Sequence, residues 1–367
     1  MHLQDKVRSA PPRSLLPHIQ YLRAVAAFLV VLYHARLLTP IGQMLPFDVG
    51  RAGVDIFFVI SGFIIQHVAA RDDSGHPGAF MLKRAIRILP LYWLLTVAIG
   101  LAGQVVPALA GSGGVPDAGR ILRSLLFLPY YDDAGEIHPV LFLGWTLNYE
   151  MFFYVVFAAG LLVARPVIRL AIVSGVLLLL VLAGVMLEPR GAAGVTYTSP
   201  LLLEFGAGLW LSYLWERRQR RGAAALSRGA ALIAMAAGFA AIPLGESLWP
   251  MVPQVLRWGV PAIVIVAAAL ALDHGHAGRG RRVALLLGEA SYAIYLTHPF
   301  VIKAVSIVYA RLGVTALPLH ALALLATVAI VGAIGVAFHL IVERPVVRAL
   351  RHRLLPRARP AVAAGEA

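Results

Sequence analysis

The first apolar stretch of the chain, IQYLRAVAAFLVVLYHARLL, carries Arg23 and His34 within it and Arg36 near its end. At about 100° per residue the spacing of Arg23 and His34 puts both on one helix face, about 16 Å apart along the axis. A neutral imidazole takes a proton near physiological pH and a guanidinium grips phosphate or carboxylate, so this face can join a general base to an anion holder. Other polar groups lie at comparable depth in other apolar stretches: Asp55 and Ser61 in GVDIFFVISGFII, Asn148 and Glu150 in GWTLNYEMFFYVVF, Glu204 further on, and Tyr292 and His298 in SYAIYLTHPFVI. Ionisable groups are costly in hydrocarbon, so they must face one another or a wet cavity. The pattern predicts proton-transfer chemistry, with neutral His34 as base, Glu150 or Asp55 fixing its tautomer, and Asn148, Ser61, Tyr292 and His298 about the substrate.

Each residue also has a structural reading. Arg23 can snorkel to the surface, Asp55 can cap its helix, and Glu150 can pair with a neighbouring Arg or Tyr. His298 can satisfy a carbonyl freed by Pro299, and Tyr292 can be a packing aromatic. Lys83, Arg84 and Arg87 stand just before an apolar run in FMLKRAIRILPLYW; Arg84 and Arg87 share a face suited to phosphates, or serve as topology anchors. The Arg217 to Arg221 cluster and the basic tail read as lipid-facing anchors.

The elements that position these groups follow from composition. Of 367 residues, 60% are hydrophobic and only 14% charged, too few charges to clothe a soluble surface, and the mean hydropathy is +0.80. Soluble globular, disordered and fibrous classes are excluded. With no cysteine there is no disulfide, thiolate nucleophile, iron–sulfur cluster or Cys-based zinc site, and no HExxH or GxSxG pattern occurs, so no metal is expected. Stretches long enough to span a bilayer fall near 19–38, 50–69, 88–106, 143–163, 169–187, 199–216, 229–245, 257–272, 284–308 and 319–342. Lys and Arg gather in alternate connections, so the net charge of +14 reads as membrane topology rather than nucleic-acid binding. The expected fold is all-α: a polytopic integral membrane protein of the inner membrane with about ten transmembrane helices and both termini cytoplasmic. Residues 1–18 form a cytoplasmic segment that is not a cleavable signal, 19–345 the membrane domain and 346–367 a basic cytoplasmic tail. The connection 107–142, with an apolar run at 121–128, is expected to hold a re-entrant or interfacial helix.

Six strings, RAVAAFLVVLYH, GVDIFFVISGF, KRAIRILPLYW, GWTLNYEMFFY, SYAIYLTHP and VERP, occur in the order seen in the membrane-bound acyltransferase 3 family, which this chain resembles over about 19–345. The resemblance implies an acyl-CoA donor, usually acetyl-CoA, bound from the cytoplasm, and transfer to a hydroxyl of a cell-surface or lipid-linked carbohydrate. By motif match it makes His34 the catalytic histidine with Arg23 as partner, Arg84 and Arg87 the donor-side pair, and Glu150 the acidic member of the fourth helix. Many members add an esterase-like domain; this chain resembles the stand-alone type. Direct attack on the thioester and a transient acyl group on His34 or a nearby Ser are both open. A proton-coupled transporter or exporter of a sugar or small metabolite is the competing class, since buried His and carboxylates suit it equally.

Overall fold

The computed structural model describes residues 16–38, 47–71, 76–106, 113–222, 226–272, 280–312 and 316–355, and these form helices without a strand. The helices are α1 (Pro17–Ala35), α2 (Gly53–Ala69), α3 (Pro77–Val105), α4 (Ala118–Leu125), α5 (Gly144–Gly160), α6 (Pro166–Leu187), α7 (Ala192–Tyr197), α8 (Leu202–Arg220), α9 (Arg228–Leu248), α10 (Val260–Ala271), α11 (Gly280–Glu289), α12 (Ser291–Leu312), α13 (Leu317–Phe338) and α14 (Arg344–Leu354). Proline opens α1, α3 and α6, where its missing N–H is no loss. Single π turns, Val255–Gly259 and His339–Glu343, precede α10 and α14.

Six helical stretches among the described residues are long and apolar enough to cross a membrane: Gly50–Ala69, Pro77–Val105, Pro166–Leu187, Arg228–Leu248, Ser291–Leu312 and Leu317–Leu354. The remaining expected spans are also helical, but α1, α5 and α8 carry the polar residues singled out above, and Val255–Ala271 is shorter. Lipid exposure is plain on α6, whose buried residues Leu170, Val173, Leu177 and Val181 form one stripe while Leu178, Val185 and Met186 face outward. Two boundaries differ from expectation. The third helix begins at Pro77, so Lys83, Arg84 and Arg87 lie within it, and the expected helix over 284–308 is broken at Ala290. The connection after α3 holds α4, capped by Asp117, whose carboxylate accepts the Arg120 N–H at 2.7 Å; Arg120 also pairs with Asp133 and holds that carboxyl below its usual range. Residues 1–15 and 356–367 lie outside the described residues.

Helices α2 and α8 make the closest pairing. Phe58 stacks on Phe205 at 4.5 Å and Phe205 on Phe153 of α5 at 4.6 Å, an aromatic spine through three helices. Backbones meet where side chains are absent: a Cβ on Gly62 would lie 2.1 Å from the Phe205 carbonyl oxygen, and one on Gly208 2.2 Å from that of Val59. Gly62→Val is therefore expected to destabilise the fold by about 1–3 kcal/mol, read as a lower melting temperature in detergent. Gly78→Ala, with nothing within 4 Å of the added carbon, is expected to leave it unchanged.

Candidate active site

A cavity of about 730 Å³ opens at the end of the bundle where α1 and α3 begin and α2 ends. Along α2 its wall runs from Val54 to Val68, about 21 Å of helix, so it reaches well past the middle of the bundle. Basic side chains surround the mouth and aromatic and aliphatic ones the interior, a shape suited to a ligand with a charged head and a long thin arm.

Arg23, Ser61, Arg84, Arg87, Glu150 and Tyr292 all line this cavity, bringing together six residues chosen from sequence. Arg87 Nη1 lies 2.7 Å from Glu343 Oε1, and the other oxygen of Glu343 is 2.8 Å from His339 Nδ1. Glu343 is only 1% exposed, so Arg87 is what makes its carboxylate tolerable there. Arg87 also lies over the Tyr292 ring at 5.7 Å, and Tyr292 donates to the Ile88 carbonyl at 2.9 Å. Arg84 sits over Phe80 at 5.5 Å, while Arg23 donates to Gln20 at 3.2 Å. Deeper in, Glu150 accepts from Ser61 at 2.8 Å and from the Tyr154 hydroxyl one turn on, bonds that fix its carboxylate without His34.

The inner end is closed by Phe57, Thr146 and Tyr295, with the Tyr295 hydroxyl 2.9 Å from Thr146 Oγ1. One aromatic layer beyond lie two histidines in contact, His298 Nε2 3.2 Å from His34 Nδ1. Their tautomers follow from sequence. Pro299 has no N–H, so the Tyr295 carbonyl four residues back loses its helical donor. His298 Nδ1 lies 2.7 Å from that oxygen and must donate to it, because a carbonyl only accepts. In the neutral ring His298 Nε2 is then an acceptor, and His34 Nδ1 supplies the proton, shared with the Val30 carbonyl at 2.9 Å. The lone pair of His34 is left on Nε2. His298 is fully buried; His34 is half-buried and packs on Phe142 at 5.7 Å between centroids.

The other candidates lie elsewhere. Asp55 turns from the cavity to Gln254, whose amide is 3.2 Å from both its oxygens. This is a cross-link from α2 to the residue that precedes the first π turn. It makes no contact with the His34 ring. Asn148 is buried and lines no part of the cavity. The sequence expectation that Asp55 or Glu150 fixes the His34 tautomer thus gives way to His298, which the proline geometry aims at it.

Arg344, Arg348 and Arg351 of α14 were missed by sequence reasoning. Expected as lipid-facing anchors, they line the cavity mouth instead. Their i, i+4, i+7 spacing was the available signal, for it puts all three on one helix face. Among the described residues no group of three or more His, Asp or Glu side chains is arranged to hold a metal ion.

The family model described as an acyltransferase domain matches residues 16–339. The exopolysaccharide production protein ExoZ of Rhizobium meliloti is 40% identical over 312 residues, covering 84% of this chain and 92% of that protein. The acyltransferase MdmB of Streptomyces mycarofaciens is 28% identical over 83% of this chain and 82% of its own length. The peptidoglycan O-acetyltransferase OatA of Listeria monocytogenes is 27% identical over 46% of this chain and 28% of its own. No solved structure matches the chain. With the family model covering nearly all of the helical bundle and a relative 40% identical over most of both chains, the chain belongs to the acyltransferase 3 family of membrane acyltransferases.

Proposed function

We propose that this acyltransferase takes an acyl group, acetyl in the simplest case, from acyl-CoA entering the basic mouth from the cytoplasm and moves it to a hydroxyl of a cell-surface or lipid-linked carbohydrate. The single observation behind this reading is the cavity that runs from an arginine-rich mouth to the aromatic layer beneath His34. The names of ExoZ and OatA, an exopolysaccharide protein and a peptidoglycan O-acetyltransferase, support a glycan acceptor. The topology that goes with it has about ten spans in the inner membrane, both termini cytoplasmic and His34 toward the outer leaflet.

The chemistry follows from the free lone pair. His34 Nε2 takes the proton of the acceptor hydroxyl as its oxygen attacks the thioester carbonyl. The tetrahedral intermediate collapses with cleavage of the C–S bond, and the proton passes from Nε2 to the departing thiolate, returning His34 to its neutral form. Arg84, Arg87 and Arg23 hold the donor phosphates and set the depth of the arm, while Ser61 and Glu150 flank it. For the thioester to meet His34, the Phe57–Tyr295 layer must part.

Sided vesicles test this. With labelled acetyl-CoA supplied at the cytoplasmic face, label is expected on the glycan acceptor; transfer only from the opposite face, or from no CoA thioester at all, would overturn it.

A further inference from the structure

The basic side chains around the cavity form two tiers. Arg87 and Arg23 are half-buried within it, the former paired with Glu343 and the latter bonded to Gln20. Arg348 and Arg351 stand exposed at the mouth, on the helical face that begins with Arg344. From Arg344 to Arg351 α14 rises about 10 Å, so it carries positive charge outward from the deep tier to the rim. Among the described residues none of these three arginines is paired with a carboxylate, and Arg351 lies close enough to Arg84 and Arg87 for their charges to repel. Like charges gathered around a cavity with so few acidic partners are stabilised by an anion between them.

Resting on the donor reading above, the shape says which anion. A CoA thioester has a diphosphate at the head of its pantetheine arm and, separated from it by the nucleoside, a phosphate on the ribose 3′ oxygen. With the arm directed toward Tyr295, the diphosphate comes to the level of Arg84 and Arg87, and the nucleoside end stays at the mouth. We propose that Arg348 and Arg351 of α14 bind the ribose 3′-phosphate, and so select free CoA thioesters over phosphopantetheine thioesters that lack it.

The test compares acetyl-CoA with its 3′-dephospho analogue as donors for the full-length protein in liposomes. Wild type is expected to favour acetyl-CoA by roughly tenfold or more in kcat/KM, the size of a charge-assisted phosphate contact. In the Arg348→Ala, Arg351→Ala double variant the preference is expected to fall to within about threefold, chiefly through a higher KM for acetyl-CoA, with use of the dephospho donor unchanged. Equal loss with both donors, or no preference in wild type, overturns the assignment. Transfer from neither donor overturns the CoA reading itself, a separate failure. If the double variant does not fold, wild type alone decides: adenosine 3′,5′-bisphosphate is expected to compete with acetyl-CoA at least tenfold better than ADP, and equal competition sinks the proposal.

Discussion

Replacing His34 by alanine is expected to lower kcat for acyl transfer by roughly 10²–10⁴-fold, the range over which a positioned general base acts. Donor binding is expected to stay within about twofold of wild type, because the cavity walls come from other residues and end one aromatic layer short of the imidazole. The pair of measurements, kcat with a defined acceptor and equilibrium binding of acetyl-CoA, separates lost chemistry from lost fold. Among the described residues His34 bonds only within its own helix and to His298, so its truncation opens a small gap without stranding a buried charge. A near wild-type rate in His34→Ala would remove His34 from the chemistry and move the search to Ser61, whose hydroxyl bonds to Glu150 inside the cavity.

Much of this arrangement was legible in the residues. The shared face of Arg23 and His34, the place of Glu150 on the cavity wall and that of Arg84 beside Arg87 all follow from helical periodicity and the cost of stranding charge in an apolar bundle. The part that was not legible depends on partners distant in sequence. Asp55 looks as reactive as Glu150 in the string GVDIFF, yet its place on the helix turns it toward Gln254, 199 residues away, and away from the cavity. The tail arginines read as anchors because an isolated basic helix after a long apolar one carries no mark of what it faces. The π turn at His339–Glu343 lets Glu343 meet Arg87 and brings the following face of α14 onto the cavity. Pro299 was recognised as freeing a carbonyl; what the string THP could not show is that the ring satisfying it presents its other nitrogen to His34.

That last link yields the second large effect. His298→Ala removes the acceptor for the His34 Nδ1 proton, leaving only the Val30 carbonyl to hold the ring, and kcat is expected to fall by roughly 10–100-fold with little change in KM for the donor. His298→Gln offers a carbonyl oxygen toward His34 and an amide N–H toward Tyr295, and is expected to recover part of that loss, which mere filling of space would not. Pro299→Ala separates orientation from packing. Returning an N–H to position 299 gives the Tyr295 carbonyl its helical donor again, so His298 Nδ1 is no longer bound to serve it and the ring can adopt the tautomer that puts a proton on Nε2, against the proton of His34. A helix relieved of proline should be no less stable, so a kcat reduced by several-fold in a protein that melts at or above the wild-type temperature is the signature of a tautomer lost. Full activity in Pro299→Ala together with full activity in His298→Ala would mean that His34 holds its own orientation through Val30 alone, and that the second histidine does no more than fill the helix interface.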